Sequence, residues 1–300
     1  MRRSRFAWAA ALLMAAGACP SSPLLAQEAA GPPPTEDPIV VTGVRDQQET
    51  IHDYVGGITV ARQDQPLPRY IPDEYCPAVL GLSAQRNAQI AGRMRAVAAA
   101  AGVKPAAAGC VPSALVIFVD DKEAFLRDFR ARHPTYFIDL QGRNPPAPAA
   151  DGPAVAWHLV QLLDPQGVPL DHAVGGGYNV VESPAGGSRL LSMVRPVVAM
   201  SVVVVERGAL VGLTGTQIAD YALMRTLTDR GPEGLDVPAG LTILGAIGAP
   251  MGGAVPLSLT EWDLAYLKGR YAGHPARYGQ SQAAAIRNRI RRALAGAGEE

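Results

Sequence analysis

The chain has 300 residues, 48% hydrophobic and 18% charged, with 27 basic and 27 acidic side chains and a formal net charge of zero. That is enough apolar material for a substantial core. It excludes a nucleic-acid binder that relies on a basic face and counterion release. The local excess at Arg287, Arg289, Arg291 and Arg292 is the solvated face of one C-terminal helix.

Arg2, Arg3 and Arg5 precede an uncharged run from Phe6 to Ala18, the order of a secretory signal. Cys19, Pro20 and Pro23 interrupt the run before the roughly 20 apolar residues that a membrane span needs. Residues 1–26 are therefore predicted to be a cleaved signal peptide, with Ala26 before the cut and a periplasmic or extracellular mature chain. A lipid anchor at Cys19 is the lesser alternative, because Ala16 stands where such sites usually carry Leu. Cleavage removes three Arg and no acid, so 27 − 3 leaves 24 basic against 27 acidic groups. No transmembrane helix is expected in the mature chain. Cys76 and Cys110 remain, an even number in an oxidising compartment, and a disulfide between them is the default.

Residues 27–67 are poor in Leu and Phe and contain Gly31-Pro32-Pro33-Pro34, which predicts a flexible tether. Within it Asp37-Pro38-Ile39-Val40-Val41-Thr42-Gly43 resembles the TonB box of outer-membrane receptors, which implies β-augmentation by TonB through Ile39, Val40 and Val41. The chain lacks the alternating strands of a barrel, so a plain edge strand is the simpler expectation.

Residues 68–145 are predicted to form a small α/β subdomain pinned by the disulfide. Ser83 to Ala101 is helical, with Ile90, Met94 and Val97 on its apolar face and Gly102 as its stop. Ala114 to Val119 is a strand buried on both faces. A second helix opens at Asp120, taken as N-cap with Glu123 as its capping-box partner. The Pro-rich stretch Asn144–Pro153 marks a boundary.

Residues 153–300 are predicted as a second α+β domain. Val155 to Leu163 reads as a strand, Asp164-Pro165-Gln166-Gly167 as a turn and Val168-Pro169-Leu170 as the return. Arg189–Val194 and Val197–Glu206 read as two further strands. Gly215 to Thr228 is a helix capped by Thr214 and Gln217, and Leu259–Tyr271 and Gln282–Leu294 are helices packed on the sheet through Trp262, Leu267, Ile286, Ile290 and Leu294. Gly175-Gly176-Gly177 lacks the helix with Lys and Ser or Thr of a phosphate loop.

The order of strands, the Gly212-Leu213-Thr214 entry, the helix and then Leu257-Ser258-Leu259-Thr260-Glu261-Trp262-Asp263 through Tyr271 is similar to a zincin-like peptidase domain. The resemblance covers about residues 197–275. It implies a mixed sheet beside an active-site helix. The helix, however, reads Thr216-Gln217-Ile218-Ala219-Asp220-Tyr221 where a zincin has His-Glu-x-x-His. No metal, cofactor or catalytic residue is therefore expected, and the chain is predicted to be a non-catalytic binding or structural module serving an envelope protein or a small ligand. A cryptic hydrolase or a TonB-linked accessory protein are the rival expectations. Gln217, Asp220, Tyr221, His158 and His172 are the candidate cleft residues.

Overall fold

The computed structural model describes residues 43–138, 152–170, 188–250 and 252–296. The predicted signal, Cys19, Ile39, Val40, Val41, Asp171, His172 and the glycine triplet lie outside them. The described part is α+β. Its four strands are β1 (Pro77–Leu80), β2 (Ala114–Val119), β3 (Ala154–Leu163) and β4 (Arg195–Glu206). They form one mixed sheet in the order β1-β2-β4-β3, with β1, β2 and β4 parallel and β3 antiparallel to β4. Six α-helices accompany them among the described residues: α1 (Gly43–Ile58), α2 (Ala84–Ala100), α3 (Lys122–Arg132), α4 (Gly215–Leu227), α5 (Glu261–Tyr271) and α6 (Gly279–Gly296).

The strand expected to be buried on both faces is β2, flanked by β1 and β4. On one face Val116 and Phe118 join a large core with residues of α2, α4, α5 and α6. On the other, Ile117 joins Val202, Val204 and Trp157, covered by Phe125, Leu126 and Phe129 of α3. A run of Val and Ile with no polar alternation belongs in such a doubly covered position.

Three expectations are corrected. The tether predicted for residues 27–67 does not hold from Gly43 onward, because α1 places Ile51, Tyr54, Val55 and Ile58 in the main core. Their i, i+3, i+4, i+7 spacing is an apolar helical stripe that the polar average of the segment conceals. Strands from both sides of the expected boundary at residues 144–153 share one sheet, and Thr42–Glu300 is one compact unit in place of two subdomains. Arg195-Pro196 starts a single strand instead of separating two, and Leu191 makes only an isolated bridge to Arg277.

Smaller differences concern caps and layers. Asp121, not Asp120, caps α3, its Oδ1 accepting from Ala124 N at 2.8 Å, while Asp120 pairs with Arg207. Helices α5 and α6 pack chiefly on each other, and α6 on α1, in place of direct packing on the sheet. The disulfide Cys76–Cys110 is present and ties the start of β1 to the loop before β2. Among the described residues no helix is long and apolar enough to cross a membrane.

Candidate functional site

Parallel strands deliver their C-terminal ends to one edge of the sheet. There β1 turns into α2 through Gly81, and β4 leads through residues 207–214 into α4. Gly81 has φ +95°, and a Cβ on it would stand 2.0 Å from the Phe118 carbonyl oxygen, so the turn requires glycine. Arg207 fixes the two connections together, donating to Gly81 O at 2.8 Å and pairing with Asp120. The N-termini of α2 and α4 consequently stand side by side, and a groove of about 470 Å³ lies between them.

Leu82, Ile90, Leu210, Leu213 and Ile218 form its apolar wall. Arg86, Gln89, Arg93 and Thr216 supply the polar one. Ser83 Oγ caps α2 by accepting from Arg86 N, and Thr214 and Gln217 form a reciprocal capping box on α4. Two helix dipoles thus direct partial positive charge toward a groove lined by Arg86 and by Arg93, whose charge is balanced by Asp220. In open parallel sheets, the crevice beyond the strand C-termini is the usual ligand position.

The predicted cleft residues are spread along α4 and held in structural bonds. Gln217 Oε1 accepts from Thr214 N at 2.9 Å, and its Nε2 donates to Pro256 O at 2.8 Å. Asp220 is 0% exposed. It accepts from Arg93 Nε and Nη2, both at 2.8 Å, and from Leu259 N at 2.7 Å. This bidentate pair joins α4 to α2 and holds the segment leading to α5. Tyr221 is buried, which raises its phenol pKa, and Arg225 Nη1 approaches its hydroxyl at 3.4 Å.

His158 lies on β3 and meets the other end of α4. Its Nε2 is 3.1 Å from the Thr226 carbonyl oxygen, an acceptor only, so Nε2 carries the proton. Desolvation is the largest influence and lowers the imidazole pKa to about 4, against a smaller opposing pull from Asp229. Gln217 and Thr226 are nine residues apart on one helix, about 14 Å along its axis. The candidates therefore do not converge. His172 lies outside the described residues.

No family model matches the chain, and no curated protein or solved structure is significantly similar to it. The geometry alone therefore carries the chemistry. Among the described residues no three His, Cys, Asp or Glu side chains are grouped to hold a metal ion. Among the described residues no carboxylate, imidazole or thiol lines the groove, so the Thr216 hydroxyl has no base among them. What the groove offers is shape, apolar surface and positive charge.

Arg86, Gln89 and Arg93, which supply most of its polar wall, went unmarked in the sequence. Arg86, Gln89, Ile90 and Arg93 recur at three- and four-residue steps, which places them on one face of α2. That spacing was the available signal. It reads as a solvated stripe until α4 is known to lie beside it.

Proposed function

We propose that this chain is an exported, non-catalytic binding module of the cell envelope, and that the groove between α2 and α4 holds an extended apolar segment bearing a carboxylate. The supporting observation is the composition of the groove: five apolar side chains beside Arg86 and two helix N-termini, with no nucleophile–base pair among its described lining residues. Charge complementarity selects a carboxylate, and the apolar wall selects a hydrophobic body. Export is supported by the Arg-flanked apolar run of residues 2–18 and by the Cys76–Cys110 bond, which suits an oxidising compartment.

On the same proposal the second half is a degenerate zincin-like fold. Its α4 stands in the place of the metal-binding helix, with Gln217 and Tyr221 at positions that cannot supply imidazoles.

Titration of the purified protein with N-acetyl-Leu-Leu-Ala and with the corresponding amide tests the proposal. The acid should bind with shifts at amides of the groove, and the amide about tenfold more weakly. Thr216→Trp, which fills the groove, should abolish binding while leaving the circular-dichroism spectrum unchanged. Equal binding of acid and amide, or zinc-dependent hydrolysis of either, would overturn it.

A further inference from the structure

A second concave site lies at the opposite end of β4. The strand begins at Arg195 and reaches the groove end at Glu206, about 35 Å away along its length. Beside its start runs the segment Leu67–Pro72, joined to the sheet by the Arg69–Val197 bridge and by Val198 N donating to Arg69 O at 2.9 Å. Between them is a pocket of about 220 Å³. Leu67, Val103, Pro196 and Pro275 contribute apolar surface, and Arg69 and Arg195 contribute charge.

Neither guanidinium has a carboxylate partner among the described residues. Arg69 is only 7% exposed. Among the described residues it makes one side-chain hydrogen bond, Nη1 to Ala272 O at 3.3 Å, and its Nε is buried without a partner. Arg195 Nε is likewise buried and unpartnered. The neighbouring charge on Arg69 is Arg270, of the same sign and already paired with Asp229. Lys104 at the rim is neutralised by Asp73 at 2.7 Å. Burial, and secondarily Arg270, lower the Arg69 pKa to about 10, which still leaves it charged at neutral pH.

A buried cation is stable only when paired and hydrogen-bonded, and arginine cannot escape by losing its proton. Arg69 is such a cation and half-buried Arg195 lines the same small pocket, so guanidinium donors without a carboxylate partner face a planar anion there. The apolar walls disfavour a fully hydrated inorganic ion. We propose that this pocket binds a small organic acid, its carboxylate held between Arg69 and Arg195 and its hydrocarbon part against Leu67, Val103 and Pro196. The site is separate from the groove beside α4 and does not depend on the function proposed for it.

Isothermal titration with benzoate, benzamide and inorganic phosphate distinguishes the alternatives. Benzoate should bind saturably with a dissociation constant of roughly 1 mM or below, and benzamide and phosphate at least about tenfold more weakly. Arg195→Gln should weaken benzoate about tenfold, and Arg195→Lys, which keeps the charge but not the fork, should weaken it also. Thr216→Trp should leave benzoate binding unchanged, which separates this pocket from the groove. Absence of saturable benzoate binding to the wild-type protein, an affinity unaffected by both Arg195 substitutions, or tighter binding of phosphate would overturn the proposal.

Discussion

His158 and Asp220 both look chemically available in the sequence, and both are occupied in the fold. For His158 the consequence is a pH dependence with a defined sign. Its imidazole pKa falls from 6.5 to about 4 on folding, so between those values the unfolded chain binds a proton that the folded chain excludes. Stability should therefore drop as pH falls from about 6.5 to about 4. The ceiling on the loss is roughly 3 kcal/mol, because the residue is only partly buried. Urea unfolding of wild type and His158→Gln at pH 7, 5 and 4 should show that the variant lacks this part of the acid loss. Asp220→Ala should cost roughly 2 to 4 kcal/mol at pH 7 by chemical denaturation, because Leu259 N and the Arg93 fork lose their acceptor together. Nothing around Asp220 in the chain announces Arg93, 127 positions earlier. Cys76 and Cys110 were legible as a pair because only these two cysteines follow the predicted signal, which leaves one pairing, and the disulfide is present. Replacing both with Ser should lower stability by roughly 2 to 4 kcal/mol in the same assay.

At the scale of elements, periodicity located α2, α4, α5 and α6 well, and Thr214 with Gln217 identified the start of α4. Helix α1 escaped because its composition resembles a tether although its apolar residues keep helical spacing. It is fastened by Tyr54, whose hydroxyl donates to the buried Asp263 carboxylate at 2.7 Å. Asp263 also accepts from Thr242 Oγ1 at 2.6 Å, Ile243 N at 2.9 Å and Thr260 N at 3.0 Å. One carboxylate thus joins α1, the segment before α5 and the cap of α5. Tyr54→Phe should cost roughly 1 to 2 kcal/mol in chemical denaturation, the value of one buried charge-assisted bond. The contact between α5 and α6 depends on Gly269, where a Cβ would stand 2.9 Å from the Ile286 Cα. Gly269→Ala should push these helices apart and destabilise by roughly 1 to 3 kcal/mol, with a lowered urea midpoint.

For the whole molecule, α1 belongs to the same compact unit as the sheet. A chain starting at Val60 exposes the surfaces of α6 that α1 covers and leaves Asp263 and Tyr266 without Tyr54 and Thr59. It should lack a cooperative thermal transition by circular dichroism. The sequence by itself determined the α+β class, the spans of α2 to α6, the doubly buried strand and the cysteine pair, because each follows from local periodicity, caps or cysteine count. Tertiary structure alone decided that one sheet crosses the expected domain boundary, since β2 pairs with β4, as Ala114 with Ser201, across the whole of that boundary. It also decided which charges are free. Arg93 and Arg195 are the same residue type, yet packing gives one a buried carboxylate and, among the described residues, leaves the other without one. Ion pairing depends on distances of a few ångströms between chain segments far apart in sequence, and no local pattern encodes them.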